Sequence, residues 1–235
     1  MTLPVINTPE YRLTIPSTDE EIRYRPFLVK EEKLLLIAQE TGDDNAIYQA
    51  IRNIIMNCVL VPIELERMPL FDMEYLFLNI RAKSVGEVAK LKVTCPDDGK
   101  TQVGIEVNLT EVNVHMSEDH DPRIQLTDDI GVLMCYPSLD TVGLMQGKTE
   151  QQSTALFELI ATCIYQINQG EEVYDALDYS LQDKLTFLDS LNHMQFEKIQ
   201  NFFNSMPTLT HEVKVTNPKT KKKSTVKLEG MNSFF

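Results

Sequence analysis

The sequence predicts an α+β fold: a mainly helical body with a small antiparallel β-sheet, including a hairpin near residues 88–109, and a C-terminal β-hairpin. Two observations predict this fold. Apolar residues recur at helical spacing in about six segments. Between residues 88 and 109 the spacing changes to the two-residue alternation of strands, and a similar alternation returns near the C-terminus.

We expect the 235 residues to form one compact domain, since a chain of this length can bury a core without disulfides or metals. The pattern divides it into five segments. These are an extended proline-rich arm (1–29), an N-terminal helical part (30–87), an antiparallel β insertion (88–136), a C-terminal helical part (137–206), and a C-terminal β-hairpin with an aromatic tail (207–235).

The first segment contains four prolines, Pro4, Pro9, Pro16 and Pro26. Each proline disfavours a helix before it, which predicts an extended arm with one or two short strands. Such an arm either lies across its own domain or reaches a neighbouring protein.

The second segment predicts three helices. The first spans 30–40 and ends near Gly42, and the second begins at Asp43 or Asp44 and ends near Val59.

The third helix is capped by Asp72 and is apolar on much of its surface, including Phe77. Helices of this kind are buried on two sides, either in the core or partly in an interface.

The clearest strands flank the turn at residues 96–99, where apolar and polar residues alternate on both sides. Val112 and Val114 would extend the second strand of this hairpin. Two further strands are predicted at 123–126 and 132–136.

Three helices follow. The first carries a long apolar stripe over 155–167, begins at a capping box between Thr149 and Gln152, and ends at Gly170. The other two begin at the capping-box patterns Ser180-x-x-Asp183 and Asn192-x-x-Gln195, and Pro207 ends the last one.

The net charge of −13 argues against non-specific binding to nucleic acid or to an anionic membrane. No apolar run approaches the roughly 18 residues of a membrane span, and the N-terminal residues lack the pattern of a signal peptide. We therefore expect a protein made and used in the cytoplasm, or in something assembled there.

The four cysteines are Cys58, Cys95, Cys135 and Cys163, and no two form a CxxC pair. The usual spacing of zinc ligands is therefore absent. Buried, reduced thiols are the favoured interpretation.

Little in the chain indicates catalysis. Two histidines lie in or beside an acidic loop that could hold a divalent metal, but the spacing is not that of an EF-hand and a solvated loop is favoured. The residues concerned are His115, Glu118, Asp119, His120 and Asp121. Nucleophile-elbow, phosphate-loop and dinucleotide-binding motifs are absent. We expect no catalytic residues, no cofactor, no metal and no small-molecule substrate.

A lysine run, Lys221, Lys222 and Lys223, lies at the tip of the C-terminal hairpin, in a stretch (212–229) whose charge is +4. Three interpretations remain open. The tip is solvated and protects an exposed edge, it docks onto an acidic protein such as another copy of this chain, or it binds nucleic acid. The run lacks the interleaved aromatic and arginine residues of nucleic-acid surfaces.

The sequence ends in Phe234 and Phe235. Two aromatic residues at a chain end either pack into their own fold or anchor in a partner's pocket, and both interpretations stay open.

Four blocks resemble one protein family. They are Tyr24-Arg-Pro-Phe-Leu-Val-Lys-Glu-Glu-Lys-Leu-Leu-Leu36, the stretch Phe71–Glu87, the stretch Phe202–Val213, and Leu228-Glu-Gly-Met-Asn-Ser-Phe-Phe235. In this order they resemble the baseplate hub subunit and the hub-assembly proteins of T-even-type tailed bacteriophages (myoviruses). Residues 88–195 match in pattern only.

The resemblance implies a non-enzymatic structural or assembly protein of the contractile-tail baseplate, which binds other hub or wedge proteins, with self-association as a further option. The alternative is an assembly chaperone that is absent from the mature virion. The implied location is the tail baseplate, assembled in the bacterial host cytoplasm, with no nucleic-acid or membrane partner. Candidate partner-binding residues are Phe27, Phe77, Lys221, Lys222, Lys223, Phe234 and Phe235. Ser84-Val85-Gly86 is a candidate packing or interface turn and is not counted as a site.

Overall fold

A computed structural model describes residues 6–42, 44–139, 141 and 152–234 of the chain. The chain forms two compact units. Unit 1 comprises Met1–Leu65, Phe71–His115 and Thr208–Phe235, and unit 2 comprises Glu66–Leu70 and Met116–Pro207. The five-segment division drawn from the sequence stays a prediction.

Within the described residues there are six α-helices and eleven β-strands. The helices are α1 (Val29–Thr41), α2 (Asp44–Cys58), α3 (Leu70–Val85), α4 (Gln152–Thr162), α5 (Leu181–Asp189) and α6 (His193–Ser205). The strands are β1 (Tyr11–Thr14), β2 (Glu21–Tyr24), β3 (Val88–Thr94), β4 (Gln102–Asn108), β5 (Asn113–His115), β6 (Arg123–Gln125), β7 (Ile130–Met134), β8 (Ile164–Gln169), β9 (Glu172–Asp175), β10 (Thr208–Thr216) and β11 (Lys223–Glu229).

The expectation of a mainly helical body with one small sheet and a terminal hairpin is wrong. The fold is mixed, with 39% helix and 29% strand. The strands form four antiparallel sheets in the orders β1-β2, β3-β4, β11-β10-β5 and β6-β7-β8-β9.

The largest error concerns residues 163–175. The predicted helix over 155–167 ends at Thr162, and the chain continues as the hairpin β8-β9. Gly170 adopts a left-handed conformation (φ +58°) at the turn of this hairpin, although the sequence suggested that it ends a helix. Ile164, Tyr165 and Ile167 are β-branched or aromatic residues, which favour strands.

Unit 1 has its core around α3. Leu76, Phe77, Leu78 and Ile80 in this helix are fully buried. Leu78 packs into a cluster with apolar residues of both hairpins, β3-β4 and β10-β11. Residues of the same unit therefore bury α3 on more than one side, as the sequence predicted.

Strand β5 does not extend the first hairpin as the sequence suggested. It pairs with β10, so that Thr208 lies opposite His115 and Leu209 lies opposite Val114. The chain therefore leaves unit 1 after His115 and returns at Thr208, directly across the same ladder.

In unit 2, helices α4, α5 and α6 pack on the four-stranded sheet. Their apolar residues share one cluster with Ile124, Val132 and Ile164 of the strands. The capping boxes predicted at Ser180 and Asn192 are both present. The third, which begins at Thr149, lies outside the described residues.

Candidate interaction surfaces

The first residues of α1 are fixed by a buried ion pair. Arg25 Nη2 lies 3.0 Å from Glu31 Oε1, and Glu31 Oε2 accepts a hydrogen bond from the Leu28 amide at 2.7 Å. Burial alone would raise the pKa of Glu31, but the hydrogen bonds from Arg25 and Leu28 and the charge of Arg25 outweigh it and lower that pKa. This network holds the charged turn of the first resemblance block.

The resemblance blocks of unit 1 meet at α3. The Phe27 amide donates to Ser84 Oγ at 2.9 Å, and this hydroxyl donates to the Ile80 carbonyl at 2.6 Å. At the other end of α3, the Met231 amide donates to Glu74 Oε1 at 3.2 Å. The blocks that contain Phe27 and Met231 therefore dock on the block that contains Ser84, which agrees with a packing role for the Ser84 turn.

Three candidate partner-binding aromatics lie inside unit 1. Phe27 is 8% exposed, and Phe77 and Phe234 are fully buried. Phe234 packs in the cluster around Leu78. Of the two interpretations of the C-terminal aromatic residues, this position corresponds to packing into their own fold. Phe235 lies outside the described residues. As partner-binding residues these aromatics stay a prediction, and contact with a partner would require the buried ones to leave the core.

The lysine run is an exposed, tethered turn. Lys221, Lys222 and Lys223 are exposed, and Lys221 has a φ of +63°. Asn217 Oδ1 accepts the amide of Lys219 at 2.9 Å, while Asn217 Nδ2 donates to Asp97 Oδ1 at 3.0 Å.

Asp97 lies in the turn between β3 and β4 and also accepts the hydroxyl of Thr220. The hydrogen bonds from Thr220 and Asn217 lower the pKa of Asp97. The lysine tip is therefore anchored on the turn of the neighbouring hairpin, and its ammonium groups are presented from a fixed backbone.

Helix α1 exposes apolar residues that the sequence did not single out as a surface. Val29, Leu36 and Ile37 are 79%, 53% and 48% exposed, whereas Leu35 on the other side of the helix is 8% exposed. The unbroken apolar run 34–37 was the feature of the sequence that could have revealed this surface. Four consecutive apolar residues of a helix cannot all face one core, so at least one of them is exposed.

Unit 2 contains an open groove of about 420 Å³ between the sheet and α5. Its lining is mostly apolar and aromatic: Ile130, Ile167, Tyr174, Ala176, Tyr179 and Phe187, with Gln169, Asp183, Lys184 and Ser190. The carboxylate of Asp183 accepts hydrogen bonds from the amide and the hydroxyl of Ser180, and these lower its pKa. Exposed acidic residues Glu172, Asp175 and Asp178 lie on β9 and in the turn that follows it.

His120, a candidate metal ligand in the acidic loop, is held by other side chains of unit 2. Its Nδ1 lies 2.9 Å from Ser205 Oγ, its Nε2 lies 3.0 Å from Tyr136 OH, and its ring packs against Tyr136 and Phe202. Burial lowers the pKa of His120, and the charge of Asp121 opposes this. Among the described residues, no three His, Cys, Asp or Glu side chains are grouped to hold a metal ion.

All four cysteines are free thiols, and Cys58, Cys95 and Cys163 are buried. Burial raises the pKa of Cys58 to about 11. Three of the four cysteines thus match the predicted burial, whereas Cys135 is only partly buried.

A comparison with protein-family models shows the family to which this chain belongs. The family model described as T4 bacteriophage base plate protein matches residues 8–235. The chain belongs to this family. Neither the curated proteins nor the solved structures gave a match.

Membership in the baseplate family confirms the T4-type phage resemblance and implies a location in the tail of the virion. No helix within the described ranges of this baseplate protein is long and apolar enough to cross a membrane.

Proposed function

We propose that this chain is a structural or assembly protein of the baseplate that binds other hub or wedge proteins and catalyses no reaction. The family match over residues 8–235 carries this proposal. Further support comes from surfaces suited to docking, namely the anchored lysine tip and the groove of unit 2. We further propose that the protein is assembled with its partners in the host cytoplasm and needs no cofactor, membrane or nucleic acid.

The groove of unit 2 suits an apolar side chain carried on a basic segment of a partner. Its lining is mostly apolar and aromatic, and β9 beside it is an edge strand among the described residues and carries acidic residues. Apolar pockets supply affinity, while charges around them favour partners of opposite sign. Among the polar groups of the lining, Asp183 is engaged within the chain, because it caps α5 together with Ser180.

The lysine tip suits an acidic partner surface. Its backbone is already ordered by Asn217 and Asp97, so binding costs less conformational entropy than it would for a free loop.

Capture of the other baseplate proteins of the same phage by the tagged chain tests the proposal. We expect stoichiometric capture of at least one, weakened by the triple variant K221E/K222E/K223E and less affected by the control K90E/K92E/K100E, which changes the net charge equally on exposed lysines of the other hairpin. Failure to capture any baseplate protein would contradict the proposal. Equal losses in both variants would show that net charge, and not the tip, controls binding.

Mass spectrometry of purified virions separates a resident component from an assembly chaperone. Peptides of this chain at a fixed ratio to other baseplate proteins would support a resident component. Their absence from virions, combined with capture in infected cells, would support the chaperone.

A further inference from the structure

One face of α1 is turned to solvent along the whole helix. Val29, Lys33, Leu36, Ile37 and Glu40 follow the spacing i, i+4, i+7, i+8 and i+11, which places them in one stripe about 100° wide. All five are exposed. The opposite side of α1 carries the buried residues Glu31, Leu35 and Ala38. The stripe, called the α1 face below, is therefore the side of α1 that the described residues of its own unit leave uncovered.

The α1 face is complementary to itself. When two copies of α1 lie antiparallel about a two-fold axis between Leu36 and Ile37, Leu36 of each copy faces Ile37 of the other. The same operation places Lys33 of each copy opposite Glu40 of the other. An isologous interface requires this arrangement, because each contact must occur twice with the roles exchanged.

We propose that the α1 face is a homodimer interface in which two copies of this chain pack α1 against α1 in antiparallel orientation. Leu36 and Ile37 form the apolar centre, and two Lys33–Glu40 ion pairs flank it. This inference is independent of the proposed binding of other baseplate proteins, which uses the lysine tip and the groove of unit 2.

The charges favour a second copy over other occupants. Neither Lys33 nor Glu40 has an ion-pair partner among the described residues, so both are available between copies. Opposite charges at symmetric distances from the two-fold axis select an antiparallel copy, whereas a parallel copy would place like charges together. An anionic lipid surface would have no net electrostatic attraction to this face, because the charges of Lys33 and Glu40 cancel.

The size of the interface sets the expected strength. A helix of 13 residues is about 20 Å long, so the buried area falls at the lower end of specific interfaces. We therefore expect reversible dimers with a dissociation constant on the order of micromolar.

Sedimentation velocity of the full-length chain, over a concentration series near physiological salt, tests the proposal. The wild type should shift from monomer to dimer as concentration rises, and L36E/I37E should remain monomeric. K33E and E40K should each lower the association constant by about tenfold or more, because each places like charges opposite one another twice. The controls K92E and E118K, which make equal charge changes at exposed positions outside α1, should dimerise like the wild type.

Mixing the two charge variants gives the decisive result. An equimolar mixture of K33E and E40K restores both opposite-charge pairs, so a heterodimer should form at concentrations where each variant alone is mainly monomeric. Circular dichroism verifies that each variant is folded. A monomeric wild type at all concentrations, dimerisation of L36E/I37E, or a mixture that stays monomeric would each overturn the proposal.

Discussion

Ser17 holds the carboxylate of Asp72 with two hydrogen bonds, one from its backbone amide to Oδ1 at 3.2 Å and one from its hydroxyl to Oδ2. Asp72 lies in the first turn of α3 and is fully buried. The contact ties the N-terminal arm to the central helix of unit 1. The arm therefore lies across its own unit at this point, which was one of the two possibilities that its prolines left open.

This contact predicts how stability depends on pH. Burial raises the pKa of Asp72, and the hydrogen bonds from Ser17 only partly oppose this. The folded chain therefore retains the proton at a higher pH than the unfolded chain, and the contribution of Asp72 is lost as the pH rises through its folded pKa. The free energy of unfolding of Asp72→Asn should therefore increase relative to that of the wild type as the pH rises through the folded pKa of Asp72. Urea unfolding from pH 3.5 to 7 measures the difference, with exposed Asp189→Asn as the control. A difference independent of pH would contradict the prediction.

Glu31 should have the opposite dependence. Its pKa is lowered in the folded chain, so its contribution is present above the unfolded pKa of about 4.3 and is lost as the pH falls through the folded value. At pH 7, Glu31→Ala should cost about 3–5 kcal/mol, because it leaves the mostly buried Arg25 without its partner. Glu32→Ala on the next residue should cost much less. Equal unfolding free energies of the two variants would refute the role of the pair.

Phe234 provides a test of the C-terminal aromatics. Because its side chain is fully buried, Phe234→Ala should lower the free energy of unfolding by about 3–5 kcal/mol. Met194→Ala, which truncates a side chain that is 74% exposed, should change it little. If Phe234→Ala left stability unchanged but abolished capture of a baseplate protein, the side chain would act mainly in a partner's pocket.

Asn217 should control the order of the lysine tip. Asn217→Ala removes the acceptor for the Lys219 and Thr220 amides and one tether to Asp97. Hydrogen exchange at these two amides should accelerate, and the protein should lose about 1–3 kcal/mol. Asn57→Ala, at an exposed helical position, is the matched control. Unchanged exchange at both amides would show that the turn is ordered by its backbone alone.

His120 should titrate below its ordinary value, because burial disfavours the imidazolium. Titration of the ring protons by NMR should give a pKa for His120 that is lower in the folded chain than in the urea-unfolded chain. The stability that neutral His120 supplies should be present above about pH 6.5 and lost as the pH falls through its folded pKa. A His120 pKa in the folded chain at or above that in the unfolded chain would contradict this assignment.

Features set by neighbouring residues were predictable from the sequence. The hairpin β3-β4, the hairpin β10-β11 and the capping boxes at Ser180 and Asn192 depend on alternation, turn residues and short spacings. The hairpin β8-β9 was missed because Cys163 and Ile164 continue the apolar stripe of α4. A short run of apolar residues after a helix is compatible with a buried strand and with one more helical turn. Periodicity therefore could not distinguish a strand from a longer α4.

The candidate surfaces were less predictable. A phenylalanine that fills a core and one that anchors a partner have the same chemistry, so the sequence could not place Phe27, Phe77 or Phe234. Their burial depends on residues distant in the chain, such as Ser84, whose hydroxyl accepts the Phe27 amide. The lysine tip was placed correctly at a turn, but its anchor, Asp97, lies 120 residues away from Asn217.

The pairing of β5 with β10 has a consequence for how this protein can vary. His115 and Thr208 lie opposite each other, so the ends of the long insertion between them meet at a single step of one ladder. Growth or shortening of residues 116–207 leaves the spacing of these two ends unchanged, and the loop-closure cost to unit 1 rises only slowly with the length of the insertion. The length of the inserted part can therefore vary while the ladder that joins its two ends stays the same.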